Sequence, residues 1–217
     1  MKLQLALDRL EEEKCMEIIE ETRDSVDWIE IGTGVIKEYG MAVIRKVRSR
    51  YPHAVIVADM KTCDAGKHEA EQAFKAGADI TTVMAFSADQ TIKDMLAEAE
   101  ACKGRVMVDL LGLQDKKRMK ELRDLGVDLV SLHFGKDMQK NGQIDQSIFE
   151  LVQDFPELET AVAGGISLES LPDVMPFKPD TLIVGGAITK QENYRQAAQQ
   201  IKEAIHSYET DDSYSSK

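Results

Sequence analysis

Val55-Ile56-Val57-Ala58-Asp59-Met60-Lys61-Thr62-Cys63-Asp64 is an apolar β-type run that ends abruptly in two carboxylates and an ammonium. Successive side chains of a strand point to opposite faces, so Val55, Val57, Asp59 and Lys61 share one face while Ile56, Ala58 and Met60 take the other. Asp59 and Lys61 are thus expected to point the same way. In a parallel α/β barrel that direction is inward at the carboxyl end of the strand, where enzymes of this architecture carry their catalytic groups. The remaining chain must then supply the other strands.

Outward from that segment, short apolar runs alternate with helix-period segments in both directions, the pattern of βα units and a parallel sheet. Strands are expected over 3–7, 26–31, 54–58, 79–84, 105–108, 128–132, 160–163 and 181–184, with amphipathic helices over 11–22, 41–51, 68–76, 89–102, 116–125, 144–155, 168–175 and 192–208. Eight strands close a TIM barrel. Gly77 and Gly126 follow helical segments and precede strands, as helix stops do. An open doubly wound sheet uses the same alternation, but no G-x-G-x-x-G follows the first strand, where Leu7-Asp8-Arg9-Leu10 stands, and no G-x-x-x-x-G-K-[ST] occurs. The expected fold is therefore α/β, a single-domain TIM (β/α)8 barrel over residues 1–208. The polar Ser/Asp-rich residues 209–217 read as a flexible C-terminal tail.

A chain of 217 residues with 43% hydrophobic content is long enough for one sizeable core. Its formal net charge of −12 argues against a nucleic-acid or anionic-membrane surface, while leaving room for a local anion pocket. Cys15, Cys63 and Cys102 are odd in number and lack paired metal spacing, and residues 1–5 run straight into a strand, which reads as a reduced, cytoplasmic protein. No apolar stretch approaches the roughly 20 residues that span a bilayer.

Parity along the other strands collects more ionisable groups. Gln4, Ala6 and Asp8 share a face, as do Val26, Trp28 and Glu30; Met107 and Asp109 share one, as do Leu129, Ser131 and His133. One strand-end acid alone is most often a helix cap or a solvated loop residue. Asp8, Glu30, Asp59, Lys61, Asp109 and His133 come from five strands, and that many carboxylates together need a compensating cation. Glu30 and Asp59 suit a hard divalent ion such as Mg²⁺, the alternative being pairing with a nearby Lys or Arg. Lys61, flanked by Asp59 and Asp64, should stay protonated and stabilise an anion, and His133 is the best-placed general base. Gly164-Gly165 and Gly185-Gly186 close the last two strands, where barrel enzymes often bind phosphate through backbone amides; the plainer reading is two tight turns. Cys63 is expected to pack rather than act as a nucleophile, Trp28 to fill the barrel, and the basic run 45–50 to coat a solvated helix face.

These residues resemble the 3-hexulose-6-phosphate synthases of the orotidine 5′-monophosphate decarboxylase suprafamily. The matching text is Leu3-Gln4-Leu5-Ala6-Leu7-Asp8, Glu30-Ile31-Gly32-Thr33, the suprafamily signature Asp59-x-Lys61-x-x-Asp64, Ala161-Val162-Ala163-Gly164-Gly165-Ile166 and Ile183-Val184-Gly185-Gly186. The resemblance implies a TIM-barrel homodimer that joins formaldehyde to D-ribulose 5-phosphate reversibly with Mg²⁺ or Mn²⁺. It implies Glu30 and Asp59 at the metal, Lys61 at an enediolate, His133 as the proton-transfer group, and Asp64 reaching across the dimer to the neighbouring site. Asp8 and Asp109 complete the catalytic set. The related 3-keto-L-gulonate-6-phosphate decarboxylases share most of these positions, but usually carry Glu at the place of Asp109 and an Arg-containing stretch where this chain reads His133-Phe134-Gly135-Lys136-Asp137. Phe134, Lys136 and Ala85-Phe86-Ser87 depart from the synthase pattern as well. A non-catalytic sugar-phosphate-binding barrel and a pentose-phosphate epimerase are the other readings. The first needs no matched base and metal ligands, and the second needs a histidine-rich metal site that is missing here.

Overall fold

Parallel pairing runs from strand to strand and returns to its start. β1 (Lys2–Leu7) lies between β2 (Trp28–Ile31) and β8 (Thr181–Val184), with Ala6 opposite Glu30 and Gln4 opposite Ile183. β3 (Val55–Thr62), β4 (Ile80–Met84), β5 (Arg105–Asp109), β6 (Leu129–His133) and β7 (Glu159–Ala163) complete a closed eight-stranded barrel in sequence order. The structure, a computed structural model, describes residues 1–135 and 146–210. Lys136 and most of the expected tail, 211–217, lie outside the described residues.

The expected strands are all present, and the informative difference is in β3, which continues through Thr62. Its register against β4 slips between Ala58, opposite Thr81, and Thr62, opposite Val83. Lys61 absorbs the irregularity with a φ of 48°, a left-handed conformation that a side chain with a Cβ adopts only at a cost.

The helices on the outside are α1 (Glu12–Thr22), α2 (Thr33–Tyr39), α3 (Met41–Arg50), α4 (Gly66–Ala76), α5 (Asp89–Cys102), α6 (Lys116–Asp124), α7 (Leu171–Val174), α8 (Gly186–Thr189) and α9 (Tyr194–Thr210). Two of these, α2 and α8, were not anticipated, because glycines at their ends hide a short helical pattern. The expected helix over 168–175 shortens to α7 and a 3₁₀ turn, since Pro172 and Pro176 start new turns instead of extending one. Of the segment 144–155, residues 146–151 form a 3₁₀ turn. The last helix takes in Glu209 and Thr210 at the head of the expected tail. Among the described residues no helix is long and apolar enough to cross a membrane.

Alternation sorts the strand residues into two cores. Leu3, Leu5, Leu7, Ile29, Ile31, Ile56 and Ala58 face outward and pack with the helices, whereas Trp28, Val57, Ile80, Met107, Leu129, Ala161, Ala163 and Ile183 form a separate apolar plug inside the barrel. Below that plug, at the amino end, Lys2 Nζ lies 2.8 Å from Glu159 and Arg105 lies 2.8 Å from Glu159 and 3.0 Å from Asp128. Lys2 Nζ also stands 5.0 Å from the Trp28 ring centre. The interior therefore has an ionic floor, an apolar middle and, above it, a polar mouth.

Candidate active site

A cavity of about 650 Å³ opens at the carboxyl ends of the strands. Glu30, Asp59, Lys61, Asp109 and His133 line it on one side, and Gly164, Gly165, Gly185 and Gly186 on the other. Glu30 and Asp109 are the last inward positions before their strands turn into loops, and Asp59 precedes Lys61 on the inward face of β3, which is why parity found them.

Asp59 is 8% exposed and held from both ends. Its Oδ1 accepts a hydrogen bond from Thr82 Oγ1 at 2.8 Å and lies 3.2 Å from Lys61 Nζ, while its Oδ2 accepts from Thr33 Oγ1 at 2.7 Å. Thr82 in turn accepts the Lys61 backbone N–H at 2.8 Å, so the left-handed turn that aims Lys61 is braced by the side chain that aims Asp59. Lys61 Nζ donates to Asp109 as well. Burial works against the ammonium, but Asp59 and Asp109 outweigh it and hold Lys61 above the ordinary lysine range. It is a fixed cation, as its position between acids implied.

Asp109 is 3% exposed and accepts from Lys61, from the Leu111 backbone N–H at 2.9 Å and from His133 Nδ1 at 3.0 Å. Burial would raise its pKa, yet His133 and then Lys61 more than offset this and bring it down to about 2. An ionised carboxylate only accepts hydrogen bonds, so the proton of a neutral His133 resides on Nδ1 and the Nε2 lone pair is left for other chemistry.

Glu30 behaves in the opposite way. It is 9% exposed, Gln4 Nε2 donates to it, and burial followed by the charge of Asp59 pushes its pKa up to about 8. The amide oxygen of Gln4 beside it is buried with no hydrogen-bond partner. An acid that resists ionisation, a second carboxylate and an orphaned amide oxygen make an all-oxygen wall, the donor set of a hard divalent cation. Among the described residues no group of three or more His, Cys, Asp and Glu side chains could enclose an ion alone, so water and substrate oxygens would complete its shell.

Asp8 reaches the cavity rim but does not join the other acids. Its carboxylate accepts the Gly34 N–H at 2.9 Å, capping α2, and pairs with Arg9 at 3.0 Å. A Cβ on Gly34 would stand 2.7 Å from that oxygen, so glycine is what lets Asp8 approach. Asp64 is exposed and absent from the cavity wall of its own chain. Gly164 has a φ of 109° and presses on the Phe134 carbonyl, which a Cβ would meet at 2.1 Å. Cys63 is exposed instead of packed, because the chain leaves the sheet at Thr62. Arg48, expected on a solvated face, is three-quarters buried and ties the α3 end to Gly77, Ala54 and Asp79.

Gln4, Thr33 and Thr82 are the site residues that the sequence reading left out. Thr82 shares the inward face of β4 with Ile80, so parity taken along that strand finds it.

The model of the orotidine 5′-phosphate decarboxylase / HUMPS family matches residues 1–201. The chain is 37% identical over 207 residues to 3-hexulose-6-phosphate synthase from Bacillus subtilis (strain 168), covering 94% of this chain and 99% of that protein. The solved structure of 3-hexulose-6-phosphate synthase from Salmonella typhimurium superposes with a TM-score of 0.92 at 32% identity, over 96% of this chain and 100% of that one. The solved structure of 3-keto-L-gulonate-6-phosphate decarboxylase from Vibrio cholerae gives a TM-score of 0.83 at 27% identity, over 95% and 98% of the two chains. With a closed barrel and a family match spanning nearly its whole length, this chain belongs to the orotidine 5′-phosphate decarboxylase / HUMPS family.

Proposed function

We propose that the protein joins formaldehyde to D-ribulose 5-phosphate, reversibly, to give a 3-hexulose 6-phosphate. The observation that carries this reading is one cavity with a fixed ammonium, a histidine of assigned tautomer and three acidic side chains on one wall, and two glycine pairs on the other. The relatives named above as synthases favour the aldol reaction over decarboxylation.

In this scheme the backbone at Gly164, Gly165, Gly185 and Gly186 holds the phosphate, which leaves C1 and C2 of the ketose over the acids. His133 Nε2 removes a proton from C1, and the electron pair moves into a C1–C2 enediolate. Lys61 Nζ donates to the oxygen on which negative charge grows, at no reorganisation cost because Asp59 and Asp109 already hold it in place. C1 then attacks the carbon of formaldehyde, forming one C–C bond, and the alkoxide takes back the proton from His133. The old C2 carbonyl becomes C3 of the product. Mg²⁺ or Mn²⁺, held by Glu30 and Asp59 with Gln4 alongside, would supply Lewis-acid charge to the enediolate oxygens.

A homodimer is part of this proposal. Asp64 is exposed and does not line its own cavity, and Phe86, 64% exposed, sits on a loop tied to the end of β3 by the hydrogen bond from Ser87 Oγ to the Thr62 carbonyl at 3.1 Å. A partner covering Phe86 would bring Asp64 toward a second cavity.

Purified protein offered ribulose 5-phosphate with formaldehyde, and separately 3-keto-L-gulonate 6-phosphate, each with and without Mg²⁺, tests the reaction. Metal-dependent loss of formaldehyde is expected. Release of carbon dioxide from the second substrate, with formaldehyde untouched, would instead make it a decarboxylase. His133→Ala should bind ribulose 5-phosphate normally yet fail to exchange its C1 proton with solvent, and normal exchange would remove His133 as the base.

A further inference from the structure

We infer that Lys190 is the side-chain counter-charge for the substrate phosphate, and that it sets the preference for phosphorylated over free ketoses. This rests on the sugar-phosphate reading above and adds to it a residue outside the glycine pairs. After β8 the chain turns back on itself, with the Thr189 N–H donating to the Gly185 carbonyl at 3.0 Å and the Lys190 N–H to the Gly186 carbonyl at 3.3 Å. The turn lays the Lys190 stem over the second glycine. A Cβ placed on Gly186 would stand 3.5 Å from Cδ and 3.6 Å from Cε of Lys190. Lys190 therefore lines the same cavity as all four glycines.

Charge pairing distinguishes this residue from most cations of the chain. Of the four Lys and Arg residues that line the cavity, Arg9 is paired with Asp8 and Lys61 with Asp59 and Asp109, while among the described residues neither Lys37 nor Lys190 has a carboxylate partner. In a protein of net charge −12, where Lys2, Lys14, Lys46, Lys61, Lys75 and Lys202 all sit against acids, a lysine kept unpaired beside an amide-lined turn is placed to meet an incoming anion. Lys37 belongs to α2, whereas of the two only Lys190 has its stem packed over Gly186.

Three variants test this. Lys190→Met keeps the stem and removes the charge, Lys190→Arg restores a cation, and Lys178→Met makes the same charge change in a pocket at the opposite, amino end of the barrel. Inorganic phosphate binding by calorimetry and steady-state kinetics with ribulose 5-phosphate are the readouts. Lys190→Met should weaken phosphate binding and raise KM for ribulose 5-phosphate about 10- to 100-fold, the range for a charged hydrogen bond, with kcat and the KM for formaldehyde nearly unchanged. Lys190→Arg should recover most of the loss and Lys178→Met should behave as wild type. Equal phosphate binding in wild type and Lys190→Met, an equal loss in Lys178→Met, or no phosphate binding by the wild type would each overturn the role of Lys190. Failure of the wild type to consume formaldehyde, with phosphate binding still lowered in Lys190→Met, would overturn the reaction and leave the anion site standing.

Discussion

Replacing Glu30 by Gln offers a test of the cation wall that needs no substrate. In the metal-free protein the Glu30 carboxyl is held at about 8, against an ordinary value of 4.5 in the unfolded chain. A folded-state pKa above the unfolded one favours folding fully below pH 4.5, and that contribution is lost as pH rises through 8. Between about pH 5.5 and pH 8 the wild type should therefore lose about 3 kcal/mol relative to Glu30→Gln, whose amide does not titrate. Groups remote from Glu30 titrate equally in both proteins and drop out of the comparison. The variant keeps the shape, can still accept from Gln4 Nε2, and gains an N–H for the orphaned Gln4 oxygen. For a chain of this length, about 3 kcal/mol widens the gap in melting temperature by roughly 6–12 °C. Scanning calorimetry on chelator-treated protein across that pH range measures the gap directly. Added Mg²⁺ should then raise the melting temperature of the wild type at pH 8 and leave Glu30→Gln almost unmoved. A gap that stays constant with pH would refute the reasoning, because it would mean that Glu30 ionises as an ordinary surface acid.

The same shift implies that Mg²⁺ uptake near neutral pH displaces a proton from Glu30, so the calorimetric heat of binding should vary with the ionisation enthalpy of the buffer; an invariant heat would count against it. Asp109→Asn removes the ionised acceptor that fixes the His133 proton on Nδ1 and one of the two carboxylates holding Lys61. Its kcat should fall about 10²- to 10⁴-fold with phosphate binding intact, and a loss below tenfold would free His133 from that dependence. Gly164→Ala must place a methyl against the Phe134 carbonyl at a φ of 109°, so urea titration should show at least about 2 kcal/mol of destabilisation.

Strand periodicity made the barrel and most of its mouth legible. Glu30, Asp109 and His133 each end an apolar strand on its inward face, and Asp59 lies on that face of β3 just ahead of Lys61; alternation needs no tertiary information to say so. What it could not show was local backbone geometry. Lys61 faces Asp59 through a register slip and a left-handed turn, and the brace that permits this comes from Thr82 on the neighbouring strand. Asp8 has the right parity, yet it is drawn to the Gly34 N–H of a helix whose glycines concealed it. Arg48 sits in a basic run that reads as solvated, and only the packed end of α3 shows that its guanidinium gathers backbone carbonyls. Lys190 lies four residues beyond Gly186, and nothing in that spacing says that the chain folds back over the glycine.

Trp28 is the sole tryptophan of the chain, and it lies in the barrel interior with its indole between the ionic floor and the mouth. Emission excited in the indole band therefore comes from a single known depth, two residues along the same strand from Glu30. Metal loading, proton uptake or ketose entry above it can be followed as an intensity change in the native, unlabelled enzyme, while events on the outer helices remain optically silent.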